Sequence, residues 1–249
     1  MIRNVLALAL WLFAGSALAL EPIVGQEGKD VVWVPTIPAL VEKMLDLARV
    51  TPQDFVMDLG SGDGRTVIAA AKRGAHALGI EYEEDMVQLS RVRAKEAGVA
   101  ALAEFRRADL FDTDFSQATV ITMFLLPEIN RKLRPTLLKL KPGTRIVTNT
   151  FTMGEWAPDE VALLGQETGC AAWCKALLWI VPAQVAGSYA LPQGQLELRQ
   201  EFQMLSGTLA RGGERFAIQD GRVRGSEVSF RAGGKSYQGR FTAGKLVLQ

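Results

Sequence analysis

From Val31 onward the apolar positions keep switching between two rhythms. In "PALVEKMLDLARV" (Pro38–Val50), Leu40, Val41, Met44, Leu45 and Leu47 recur at helical spacing, and Pro38 suits a first turn. "DFVMDLG" then forms a short unbroken apolar run, as a strand buried on both faces should. The exchange repeats. "RTVIAAAKRG" is helical and stopped by glycine, "AHALGIE" is a strand, "EDMVQLSRVRAKEAG" a helix and "ALAEFRRAD" a third strand. "ATVITMF" is a fourth strand, a Pro-started helix runs from Pro127, and "TRIVTNTF" is a fifth strand. Pro135 is expected to bend or split the helix that carries it. Strand–helix alternation with short links predicts an α/β domain, here over 28–182, with a parallel sheet covered by helices on both faces.

After Pro182 the period becomes two. Leu196, Leu198, Phe202 and Met204 are predicted on one face, followed by Phe216 with Ile218 and by Val228 with Phe230. Residues 183–249 hold 11 of the 24 glycines, and Asp220-Gly221 and Gly233-Gly234 read as hairpin turns. A small antiparallel β domain is therefore expected over 183–249. It carries nine basic and five acidic residues in a chain of 249 whose formal charge is +1. That balance recommends neither nucleic acid nor an anionic membrane as a partner.

The first residues differ again. Arg3 precedes an apolar run from Val5 to Leu20 that ends in "SALAL", so residues 1–19 fit an export signal cut after Ala19. A membrane anchor is the alternative, although the run is short of the ~20 residues a span needs. Either reading places the body outside the cytoplasm, exported or membrane-anchored.

"DLGSGDGR" (Asp58–Arg65), between the first strand and the next helix, is the candidate ligand loop. A glycine-rich turn there brings backbone close to a ligand and aims N–H groups at an anion. The spacing Gly60-x-Gly62-x-Gly64 departs from the G-x-G-x-x-G of dinucleotide sites. Asp58 and Asp63 would also repel a pyrophosphate. S-adenosylmethionine, with a sulfonium and an α-ammonium, suits the two acids, and the loop N–H groups would take its carboxylate. Glu81, at the end of the second strand, is placed to accept from both ribose hydroxyls. Asp109 would accept from the adenine amino group, with Leu110 packing near the ring, and Ser61 completes the loop.

These residues resemble class I S-adenosylmethionine-dependent methyltransferases. In particular, "VPT", "DLGSGDGR" and "LLPEIN…LRP…LKPGTRIV" are similar to the group containing the lysine methyltransferases of the adenine nucleotide translocase and of the ATP synthase c-subunit, and their bacterial relatives. The resemblance implies a seven-stranded Rossmann-like sheet whose last strand, here Trp173–Val181, runs antiparallel. It implies that Asp58, Gly60, Gly62, Asp63, Gly64, Glu81 and Asp109 line the cofactor site, with Thr36 at the methionine end. It also implies a protein lysine as acceptor, with a membrane or envelope protein as a candidate substrate. The acceptor would enter over "MFLLPE", where Phe124 and Leu126 wall a channel and Glu128 attracts an ammonium. The competing readings are an exported, non-catalytic nucleoside-binding protein on the same fold and, further off, an NAD-dependent oxidoreductase.

Cys170 and Cys174 fit either a disulfide, if the chain turns between them, or buried thiols. No metal site is expected, and the single histidine, His76, speaks against serine-type hydrolysis and most zinc chemistry. Trp156, Trp173 and Trp179 read as packing residues, with an aromatic cage for a methylated ammonium as the alternative.

Overall fold

The computed structural model describes residues 21–249. The segment read as an export signal or anchor, 1–19, lies outside them. Among the described residues no helix is long and apolar enough to cross a membrane.

The first unit runs α1 (Pro38–Leu47), β1 (Phe55–Leu59), α2 (Arg65–Lys72), β2 (His76–Glu81), α3 (Glu84–Glu96), β3 (Ala103–Arg107), β4 (Val120–Met123), α4 (Pro127–Leu137), β5 (Arg145–Asn149), β6 (Glu160–Leu163) and β7 (Lys175–Ile180). Its seven strands lie in the order β3-β2-β1-β4-β5-β7-β6. The first five are parallel, and β7 runs antiparallel between β5 and β6, as the resemblance implied. Sequence rhythm missed β6, whose four residues alternate between half-buried and exposed at the sheet's edge. Pro135 does not split α4. It sits in the last turn, two residues before the helix ends, where little helix is left to disrupt.

Two cores result. On one face, α1, α2 and α3 close over Val56, Ala77, Val120 and Val147. On the other, α4 covers only part of Met57, Ile121, Ile146 and Trp179, and Met153, Trp156 and Phe202 cover the remainder. Trp156 and Trp179 are fully buried, joined by a bond from Trp179 Nε1 to the Trp156 carbonyl (2.8 Å).

Phe202 belongs to the second unit. It consists of β8 (Gly187–Leu191), β9 (Gly194–Glu201), β10 (Met204–Arg211), β11 (Glu214–Ala217), β12 (Gln219–Arg224), β13 (Glu227–Ala232), β14 (Lys235–Thr242) and β15 (Lys245–Leu248). The sheet order is β15-β14-β13-β12-β10-β9-β8, with β11 beside β10. Leu196, Leu198, Leu205, Leu209, Val228 and Phe230 fill its inner face. Two expectations fail here. Phe202 and Met204 do not continue the inner face, because the β9–β10 turn at Phe202-Gln203 resets the alternation: Met204 pairs with Glu201 and is exposed. Asp220-Gly221 is no hairpin turn but the site of a register shift within β12, with Asp220 at φ +51°. Gly233-Gly234 does turn β13 into β14.

The β9–β10 turn docks the units together. Phe202 stacks on Trp156 with ring centroids 6.2 Å apart, and Arg134 lies 5.3 Å over the same ring. Buried Gln203 donates to the Ala157 carbonyl (2.7 Å), and Arg222 pairs with the fully buried Asp159 carboxylate (2.6 Å). The β unit thus does the covering work on this face that helices do on the other. Phe202→Ala is expected to destabilise the first unit by about 2 kcal/mol, below the 3–5 of a fully buried phenylalanine because the ring is only partly covered. Urea unfolding followed by near-UV circular dichroism from Trp156 and Trp179 checks this; an unchanged midpoint would mean that the units are energetically separate.

Candidate active site

The C-terminal ends of β1, β2, β4 and β5 open into one cavity of about 290 Å³. This is where an α/β sheet places ligands, at the point where strand order reverses between β1 and β4. The Asp58–Arg65 loop forms its floor, and residues 26–36 run along its rim. That rim segment folds back on itself through Gly25 N–H to Trp33 O (2.8 Å) and Trp33 N–H to Gln26 O (2.9 Å).

The loop's glycines are required by close approach. A Cβ on Gly62 would lie 2.7 Å from Trp33 Nε1, and one on Gly64 would lie 2.8 Å from the Phe105 ring and Ser90; both residues have positive φ. Gly64 nevertheless stands behind the wall, at the start of α2, and does not line the cavity. The expected anion cradle is also largely absent. The N–H groups of Gly60 and Ser61 donate to the Ile80 carbonyl, that of Gly62 to Glu81 Oε2 (2.8 Å), and that of Gly64 to the Ser61 carbonyl. Three loop donors expected to meet a carboxylate instead hold the loop against β2, and the fourth closes the loop on itself.

The acids divide by partner. Asp63 lines the cavity but is paired with Arg65 (2.6 Å) and with Arg93, so its charge is answered inside the protein. Burial pushes its carboxyl up, and the two guanidiniums outweigh this and hold it below the usual range. Asp63 is therefore not free to meet a cationic ligand. Among the described residues Asp58 has no such guanidinium partner. Its contact is a hydroxyl, Thr122 Oγ1 at 2.6 Å. Burial, opposed by the hydroxyls and reinforced by the Glu81 and Asp63 charges, pushes its pKa up to about 7.

Glu81 Oε1 accepts from the N–H groups of Tyr82 (2.8 Å) and Glu83 (3.0 Å), while Oε2 holds Gly62. The carboxylate is fixed at the cavity wall with lone-pair capacity remaining on Oε2. Asp109 also lines the wall, bonded to Lys29 Nζ at 2.5 Å, and that bond holds its carboxyl low. Lys29 reaches there from the rim segment and lies 4.9 Å over the Tyr82 ring. Leu110 and Ser61 line the cavity; Ser61 Oγ is buried with no partner among the described residues. Thr36 lines it too, its hydroxyl accepting from Asn149 Nδ2 (3.2 Å).

At the mouth, Phe124 and Leu126 line the cavity as expected, but Glu128 does not; it is exposed and turned to Arg131 (3.4 Å). Trp173 corrects its assignment as packing: it is 44 % exposed and lines the cavity. Its seat had no rhythm to betray it, because the β6–β7 link follows no period. Trp33 and Tyr82 were missed for the same reason.

S-adenosylmethionine fits this donor set. An uncompensated buried carboxylate suits a cationic ammonium, Glu81 and Asp109 offer acceptors to ribose and adenine, and the unpaired Ser61 hydroxyl awaits a polar partner. A pyrophosphate would face the same acids unfavourably.

Known proteins bear on this reading. The ANTKMT methyltransferase domain matches residues 58–160. A protein-lysine N-methyltransferase of Saccharolobus islandicus is 42% identical over 134 residues, 53% of this chain and 83% of its own. The ATP synthase c-subunit lysine N-methyltransferase of Mus musculus is 36% identical over 143 residues, and this chain spans only 57% of its length. Among solved structures, an RNA methyltransferase from Salinibacter ruber in complex with S-adenosyl-L-homocysteine is 48% identical with a TM-score of 0.57, covering 61% of this chain and 96% of that one. The chain belongs to the family of S-adenosylmethionine-dependent methyltransferases represented by these relatives and by the ANTKMT methyltransferase domain.

Proposed function

We propose that the protein transfers methyl groups to a lysine side chain of a protein substrate, and that it does so outside the cytoplasm, exported or held at the membrane. The observation that carries the reading is a cavity with an acidic floor and an apolar mouth. When bound, S-adenosylmethionine supplies a methyl group on a sulfonium that is already activated as a leaving group. The chain's own work is then mainly placement, an effect worth up to ~7–11 kcal/mol in favourable model reactions. Asp58 receives the α-ammonium, Glu81 and Asp109 hold the nucleoside, and Leu125, Leu126 and Phe124 keep water from the acceptor's path. A lysine entering there is desolvated, which lowers its ammonium pKa and favours the nucleophilic free amine.

The Salinibacter ruber relative, described as an RNA methyltransferase, supplies the second reading. It is disfavoured by charge. A phosphodiester track needs available cations, and the basic groups at the cavity, Lys29 and Arg65, are both paired, with Asp109 and Asp63. The extracytoplasmic assignment is supported by the apolar run Val5–Leu20 and by the Cys170–Cys174 disulfide, a bond that persists in oxidising compartments.

Incubating the enzyme and labelled S-adenosylmethionine with separated envelope protein and RNA fractions should label protein, at lysine after hydrolysis. Label confined to RNA would overturn the acceptor. A second outcome follows from Asp58. The free protein holds a proton there below about pH 7, and a cationic ligand favours the ionised form, so binding releases that proton. The affinity for S-adenosylhomocysteine, read by calorimetry, should tighten about tenfold from pH 6 to pH 8, and Asp58→Asn should flatten the profile. A wild-type profile that is already flat would contradict this role of Asp58.

A further inference from the structure

The β6–β7 link does more than connect strands. It brings Trp173 to the mouth of the cavity, where three aromatic rings converge from three different elements. Phe124, just past β4, stacks on Phe151, just past β5, with centroids 5.8 Å apart; Trp173 meets Phe124 edge-on, also at 5.8 Å. All three line the cavity. Nothing in the core demands the arrangement, since Trp173 is 44 % exposed.

The backbone under the rings is held in costly conformations. Trp173 sits at φ +54° and Thr150, next to Phe151, at φ +57°, a region that bulky and β-branched residues rarely occupy. The surroundings fix both. Thr150 N–H donates to the Lys175 carbonyl (2.8 Å), tying the exit of β5 to the entry of β7, and Thr148 Oγ1 donates to the Phe151 carbonyl (2.6 Å). On the other side, the Cys170–Cys174 disulfide closes a five-residue loop that contains Trp173. Left unbridged, a link of this length would let an exposed indole sample many positions.

We propose that Phe124, Phe151 and Trp173 form the seat for the acceptor's alkylammonium side chain, and that the Cys170–Cys174 bridge is a positioning device that holds Trp173 in that seat. Aromatic faces attract a cation and exclude water while binding no proton themselves. They therefore gather a lysine at the mouth, where the apolar walls favour its loss of a proton. This rests on the lysine-methyltransferase reading, and it divides the site in two: the donor half stands on β1 and β2, the acceptor half on the aromatic mouth.

The test uses the full-length oxidised protein saturated with S-adenosylhomocysteine and titrated with butyltrimethylammonium, with n-butanol as the uncharged control. The seat predicts measurable binding of the cation and not of the alcohol. Trp173→Ala should weaken the cation about tenfold and Trp173→Phe much less, with S-adenosylhomocysteine affinity unchanged in both. The double variant Cys170→Ser/Cys174→Ser should reproduce the acceptor-side loss and spare the donor side. Equal cation affinity in the wild type and Trp173→Ala would overturn the seat, and full affinity in the double serine variant would overturn the role of the bridge. Failure of the wild type to bind S-adenosylhomocysteine would instead remove the methyltransferase reading beneath both.

Discussion

One carboxylate without a cation organises this protein. The chain has three buried aspartates around β1, and it supplies guanidiniums to two. Asp54, before the strand, pairs with Arg145, and Asp63, after it, with Arg65 and Arg93. Asp58, between them, is given a threonine hydroxyl and two neighbouring negative charges. Its folded-state pKa of about 7 lies above the unfolded value, so ionising it costs the free protein stability as pH rises from about 4 towards 7. A protein that neutralises Asp54 and Asp63 has the means to neutralise Asp58. Leaving it bare makes sense when a ligand brings the positive charge.

The rest of the site protects that arrangement. Loop N–H groups that could have served an anion are used to fix the loop to β2, and Glu81 is held by three backbone donors. The two basic side chains close to the cavity are occupied by Asp63 and Asp109, so neither reaches Asp58 as a substitute partner. Farther out, the β unit covers the core face that α4 leaves bare, through a turn that sets Phe202 against Trp156. The sheet that carries β1 and β4 is thereby packed on both sides, which keeps Asp58 and Thr122 in register.

Much of this was legible in the sequence because it is periodic. The five parallel strands, the four helices and the alternation of the β unit announce themselves through apolar spacing, and Gly60, Gly62, Asp58 and Glu81 through their place at strand ends. What stayed hidden depends on contacts between distant residues. No local signal shows that Asp63 will be claimed by Arg93, thirty residues away, or that Lys29 will reach Asp109. The turn at Phe202 broke an alternation that the letters alone extend through Met204. Trp173 lies in a link without period, and a disulfide and a strained backbone decide its position.

Carbon-13 NMR of the Asp58 carboxyl, assigned against Asp58→Asn, measures the central quantity directly. In the free protein its titration midpoint should lie near 7, and saturation with S-adenosylhomocysteine should move it down by more than one unit. A midpoint in the ordinary carboxylate range without ligand, or one that ligand leaves in place, would contradict the account.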